Sequence, residues 1–126
     1  MELDALKGAK NIIQKKRPTL YMENAGDVPG HDLTEKSPEL IRYLFESGYK
    51  VYWHFPTVYN PNIYFGNDDN VFRFPVEEWW ISSSNMLAIP KDHRTVVGGL
   101  QEAKIDDEPV GALERWNASN KAKAAK

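Results

Sequence analysis

Two short apolar runs flank one well-punctuated helix, and this arrangement restricts the chain more than any other feature. Thr19-Leu20-Tyr21-Met22-Glu23 reads as a strand, and Tyr49 to Phe55 reads as a second, with large apolar and aromatic residues on both faces. Between them, Ser37-Pro38-Glu39 has the chemistry of a helix start. The serine caps free N–H groups, the proline loses nothing in the first turn, and the carboxylate sits at the positive dipole end. Leu40, Ile41, Leu44 and Phe45 form one apolar stripe, and Gly48 offers the left-handed residue on which helices commonly end. Strand, helix and strand at this spacing make a βαβ unit with its two strands parallel. The lack of polar alternation predicts strands buried on both faces. The expected fold class is therefore α/β.

The flanking segments fit around that unit. Leu3, Leu6, Ala9, Ile12 and Ile13 recur at spacings of three and four, which is one helix face. Lys15-Lys16-Arg17 suits the negative end of that helix, and Pro18 stops it. Its apolar periodicity is under way by Leu3 with no capping residue ahead, so the chain reads as opening inside a helix, as the second half of a larger domain. Residues 24–36 and 56–78 read as loops; the second carries Tyr59, Tyr64, Phe65, Phe72 and Phe74, which argues against disorder. Asn85 to Ile89 is a third strand closed by Pro90. A short helix over Asp92–Lys104 is weakened by Gly98-Gly99. Residues 117–126 hold three lysines and no large apolar side chain, so they read as a solvated tail.

Charge and cysteine usage exclude several function classes. Sixteen basic and 18 acidic residues leave a net charge of -2, which gives no electrostatic case for nucleic acid or an anionic membrane. The absence of cysteine removes disulfides, thiolate catalysis and cysteine metal sites. No apolar run approaches the roughly 20 residues that span a bilayer, and no secretory leader is legible, so the default compartment is cytoplasmic. The eight glycines form neither a G-x-G-x-x-G nor a P-loop. His31, His54 and His93 are scattered, Asn67-Asp68-Asp69-Asn70 lacks the order of a calcium loop, and Ser82-Ser83-Ser84 lacks a nucleophile elbow.

Position is what remains. Ligands of open α/β sheets gather outside the carboxyl ends of parallel strands. Glu23 and Asn24 end the first strand and His54 nearly ends the second, while Tyr59 and Asn60 open the segment that follows. These five residues are the candidate rim of a substrate pocket. Plainer roles stand beside that one: Glu23 can accept bonds from its own loop, His54 can be a packed histidine, and Asn60 can be a turn former.

Several segments together resemble the FkbM-type methyltransferases. They are Glu2-Leu3-Asp4-Ala5-Leu6-Lys7-Gly8-Ala9, then Arg17-Pro18-Thr19-Leu20-Tyr21-Met22-Glu23-Asn24, then Leu44-Phe45-Glu46-Ser47-Gly48-Tyr49, and finally Asn85-Met86-Leu87-Ala88-Ile89-Pro90. The resemblance covers residues 1–92 and implies a partial Rossmann-like class I methyltransferase sheet, with residues 93–126 a partly disordered extension. It implies S-adenosylmethionine as cofactor and a small-molecule or sugar hydroxyl as methyl acceptor. The family's sheet is ordered 3-2-1-4-5-7-6 with strand 7 antiparallel, and the three strands here would be its strands 5, 6 and 7 in chain order. The family's cofactor-binding loop and ribose-binding acid would lie upstream, so little cofactor binding is expected of this chain alone.

Two other readings compete with the catalytic one. The chain can be a non-catalytic accessory or remnant that pairs through an exposed sheet edge, with a separate N-terminal half or with itself. It can also be an unrelated small α/β binding module.

Overall fold

The computed structural model describes residues 2–24, 37–59, 75–76, 79–81 and 84–124. Among the described residues the helices are α1 (Glu2–Gly8), α2 (Lys10–Lys16), α3 (Ser37–Glu46) and α4 (Pro109–Ala124). The strands are β1 (Leu20–Glu23), β2 (Tyr49–His54), β3 (Thr57–Tyr59), β4 (Pro75–Val76), β5 (Trp79–Ile81), β6 (Asn85–Pro90) and β7 (Gln101–Glu102).

The main sheet is ordered β1-β6-β2-β7, and every pairing in it is antiparallel. Because β6 runs against both β1 and β2, those two strands point the same way, as the strand–helix–strand pattern requires. Their backbones do not pair with each other. The register is continuous across the three strands: Ala88 opposes Leu20 on one side and Val51 on the other, and Met86 opposes Met22 and Trp53.

One face of this sheet builds the core. Tyr49, Val51, Trp53, Met86 and Ala88 are buried there with Leu40, Ile41 and Leu44 of α3, Leu3 of α1 and Ile13 of α2. β2 alternates between buried Tyr49, Val51 and Trp53 and the more exposed Lys50, Tyr52 and His54. The expectation of strands buried on both faces is therefore corrected. The aromatic residues that mask the alternation in sequence are divided between a core face and a half-exposed one.

Other expectations are corrected by local geometry. The first helix is broken at Ala9 (φ -91, ψ 12), and Ile12 is 61% exposed although Ile13 is buried. The break displaces the apolar stripe by one position. Arg17 then ends α2 in the left-handed region (φ 50), ahead of the proline that cannot continue it. No helix forms within Asp92–Lys104; the chain turns through Gly99 (φ 82) and adds β7 to the outer edge of β2. The segment beginning at Pro56 is not all loop, since β3, β4 and β5 make a small antiparallel sheet ordered β3-β5-β4. Residues 60–74, 77–78, 82–83 and 25–36, which hold the Asn67–Asn70 run, His31 and most of the two loops, lie outside the described residues. Residues 117–124 are helical, as the continuation of α4. Ala103, Ala112 and Leu113 join the same core as the sheet, so packing continues past residue 92.

Two polar clamps fix this packing. Asp107 is 7% exposed and accepts at least four hydrogen bonds. Arg115 holds it with two nitrogens at 2.8 and 2.7 Å, the Lys104 N–H lies at 2.9 Å, and Trp53 Nε1 donates at 3.0 Å. Burial pushes this carboxyl up, but the Arg115 pair, the Lys104 amide and the Trp53 indole together outweigh it and hold the group below its ordinary value. The second clamp is Arg17. Its guanidinium donates to the carbonyls of Ser47 (2.6 Å) and Gly48 (2.8 Å), lies 4.9 Å from the Tyr49 ring centre, and pairs with Asp92 at 3.2 Å. It therefore binds the two carbonyls of the turn that follows α3, and the Gly48 carbonyl also accepts from the Lys91 N–H at 2.9 Å. Tyr49 donates its hydroxyl to the Pro18 carbonyl at 2.9 Å, and burial raises its pKa against the opposing pull of Arg17.

Two substitutions test this account. Asp107→Ala strands a buried indole N–H and a partly exposed guanidinium, and should cost about 2–4 kcal/mol by chemical denaturation. Asp107 is lowered on folding, so its stabilisation is present at neutral pH and disappears as pH falls below about 4 and through the folded value. The wild type should lose stability across that range more steeply than the variant. Gly48→Ala places a Cβ in the left-handed region (φ 81), 2.9 Å from the Arg17 guanidinium. About 1–2 kcal/mol should be lost, mostly from backbone strain because the guanidinium can shift.

Candidate functional site

The carboxyl ends of β1 and β2 meet across the first residue of β6. Asn85 is the register partner of Glu23 on one side and of His54 on the other. Successive residues of a strand alternate faces, so the pleat places Tyr21 and Glu23 on the same side of β1 as His54 and Tyr52 are on β2 and Asn85 and Leu87 on β6. This is the face opposite the core. The backbones at Glu23 and His54 are two strand spacings apart, about 10 Å.

A hydrogen-bonded row links the three strands on this face. Asn85 Nδ2 donates to Tyr21 Oη at 2.8 Å, and Tyr21 Oη lies 2.7 Å from His54 Nδ1. The Tyr21 and His54 rings are tilted by 51° with centres 5.9 Å apart. Tyr21 is 57% exposed, so the row is open to solvent. An imidazole fixed in orientation, a carboxylate two strands away and two tyrosine rings on the same face (Tyr21 and Tyr52) suit a polar organic ligand with hydroxyl groups.

The structure sorts the five sequence candidates. Glu23 and His54 are brought together around Asn85. Asn24 is not part of that face. It is 5% exposed, its amide Nδ2 donates to the Met86 sulfur at 3.4 Å, its backbone N–H donates to the Ser84 carbonyl at 2.8 Å, and Ser84 Oγ donates to its carbonyl at 2.8 Å. Asn24 thus fastens the end of β1 to the start of β6. Tyr59 ends β3, with its backbone opposite Trp79. Asn60 lies outside the described residues.

Tyr21 and Asn85 are the site residues that sequence reasoning missed. Tyr21 stands two before Glu23, so the period of a strand already places both on one face. Asn85 could be found only with the register, which no local pattern encodes.

Other features are less suited to binding. A shallow cleft of about 220 Å³ between α1 and α3 is lined by Leu3, Lys7, Glu39, Arg42, Tyr43 and Glu46. Its charges cancel in number, and Arg42 is already paired with Asp106 at 2.7 Å. Among the described residues no group of three or more His, Asp or Glu side chains is placed to hold a metal, and no helix is long and apolar enough to cross a membrane.

Comparison of the chain with protein-family models, with curated proteins and with solved structures finds no match.

The exposed row is expected to matter little for stability. Tyr21→Phe should change the unfolding free energy by at most about 1 kcal/mol, since each bond it removes is reachable by water. A loss of several kcal/mol on denaturation would show that the row is a structural network rather than a binding one.

Proposed function

We propose that this chain carries the acceptor-side strands of an S-adenosylmethionine-dependent O-methyltransferase of FkbM type, with Glu23 and His54 on the rim of the acceptor pocket. The observation that carries this reading is the order β1-β6-β2. A strand that returns antiparallel between two parallel strands is the order the family's strands 5, 7 and 6 would take. Simple hairpin or meander connections would not produce it, because they pair strands that follow one another in sequence. The helix α3 between β1 and β2 completes the same connection.

The cofactor itself does not fit the described residues. None of the described glycines (Gly8, Gly48, Gly98, Gly99 and Gly111) joins the end of a strand to the start of a helix, where a cofactor-cradling turn would stand. Under this reading the methyl donor is bound by structure supplied from elsewhere, and the role of these strands is to hold and orient the hydroxyl acceptor. Orientation is a large part of such catalysis, since reacting atoms must be brought to about 3–3.5 Å in line.

Calorimetry on the chain with S-adenosylmethionine should give no binding tighter than about 100 μM, which is roughly -5.5 kcal/mol. Micromolar affinity would sink the assignment of cofactor binding to other structure. The reading as a whole is tested by a chimera in which residues 2–90 replace the matching segment of an FkbM-type enzyme. A folded chimera that binds cofactor should transfer labelled methyl groups to sugar hydroxyls and lose that transfer on Glu23→Gln. A folded, cofactor-binding chimera inactive toward every hydroxyl acceptor offered would overturn it.

The sheet edge favours a second reading. Among the described strands β1 pairs only with β6, so its other side presents unpaired backbone groups. An accessory chain that recruits a partner strand there, or a second copy of itself, needs no catalysis. Concentration-dependent association in sedimentation, abolished by a proline at Tyr21, would support that reading over the first.

A further inference from the structure

Hydrogen-bond direction along the Asn85–Tyr21–His54 row assigns roles that proximity alone leaves open. Asn85 presents Nδ2 to Tyr21 Oη at 2.8 Å, and an amide nitrogen can only donate. The phenol therefore accepts there. Its own single proton has one close acceptor, His54 Nδ1 at 2.7 Å. A phenol O–H is a far stronger acid than a neutral imidazole N–H, and the bare imidazole nitrogen is the better base, so Tyr21 donates and Nδ1 accepts. Nδ1 is then unprotonated, and neutral His54 carries its proton on Nε2. Among the described residues Nε2 has no hydrogen-bond partner, and the Glu23 carboxylate has neither a hydrogen bond nor an ion pair.

The face thus presents a donor at His54 and an acceptor at Glu23, on either side of Asn85. A neutral hydroxyl can use either end, since it both donates and accepts, whereas an anion is opposed by the carboxylate. The two ends are about 10 Å apart at the backbone, which suits two hydroxyls of one sugar-sized ring better than a single hydroxyl. We propose that Asn85 and Tyr21 are positioning residues that hold His54 in its Nε2–H form, so that the acceptor face grips a neutral polyol or sugar, with His54 donating to one hydroxyl oxygen and Glu23 accepting from another. This rests on the reading of that face as an acceptor site.

The full chain, labelled with ¹⁵N-histidine and studied alone at about pH 9, above the ordinary histidine range, reports the tautomer directly. Loss of one signal set in His54→Gln identifies the residue. Nδ1 should resonate as a bare nitrogen and Nε2 as a protonated one; the reverse overturns the inference. Asn85→Asp replaces the donor by an acceptor, so Tyr21 should turn its proton to Asp and accept from His54, exchanging the two signals. The exchange should vanish in the double variant Asn85→Asp/Tyr21→Phe. An unswapped single variant, or a swap that survives loss of the phenol, breaks the proposed relay. Tyr21→Phe alone should move the Nδ1 resonance toward that of unbonded imidazole, which keeps the relay falsifiable if Asn85→Asp does not fold. In a sample that also carries ¹³C-glutamate, with Glu23→Gln identifying the signal, titration with methyl glucoside should shift Nε2 and the Glu23 carboxyl carbon, with acetate shifting neither. No shift with the glucoside, or a shift with acetate, overturns the ligand class. The tautomer is read without cofactor or methyl transfer, so its failure leaves the methyltransferase reading standing, and an inactive chimera leaves the tautomer standing.

Discussion

Among the described residues β6 is the only strand whose backbone pairs with both β1 and β2. Those two strands run parallel and do not pair through their backbones, and β6 lies between them with all six of its residues paired to β2 and four of them also to β1. The main sheet cannot form until the chain has returned from β2, through the small sheet of β3, β4 and β5, to insert this strand. Closing a long excursion costs little more than closing a short one, since each doubling adds only about 0.6 kcal/mol. The kinetic consequence is larger, because the contacts that reward closure are all distant in sequence. Met86 and Ala88 are fully buried, so the inserted strand also supplies the middle of the core.

Once β6 is in place, two charged clamps fix what the apolar contacts leave adjustable. Arg17 ties the end of α2 to the end of α3 through the Ser47 and Gly48 carbonyls. Asp107 ties the start of α4 to the indole of Trp53 at the centre of β2. Each clamp joins segments far apart in the chain, and the Asp107 clamp also satisfies the indole N–H of buried Trp53. Replacing a paired buried charge is costly chiefly because of what the partner loses. That cost makes the clamps specify one arrangement of helices against the sheet, where the apolar stripe of α3 alone would tolerate several.

The sequence makes local features legible and leaves pairings obscure. Ser37-Pro38-Glu39 and Gly48 mark α3 because caps and left-handed residues are properties of a few adjacent positions. Strand segments around Leu20, Tyr49 and Asn85 are legible for the same reason. The break at Ala9 is less legible: Gly8 stands directly before it, but a glycine inside an apolar helical periodicity is often tolerated and does not by itself announce a break. The clamp between Asp107 and Arg115 is not, because its meaning depends on Trp53, more than fifty residues away. The candidate site divides along the same line. Glu23 and His54 follow from the rule that strand ends gather ligands, and Asn24 fails that rule because its side chain turns toward the core. Tyr21 and Asn85 require the register, a property of three strands at once.

That dependence on register gives the site its rigidity. Glu23, Asn85 and His54 sit on three neighbouring strands whose relative shift is fixed one residue away by buried Met86 and Trp53 and partly buried Met22. A slip of one residue in β6 would turn Met86 out of the core and Asn85 into it, so core burial strongly disfavours disrupting the polar row. The exposed row needs no stability of its own: it inherits its geometry from the opposite face. A weak, solvent-open network can therefore hold a histidine in one orientation. A ligand that meets it does not have to supply the energy of ordering those side chains.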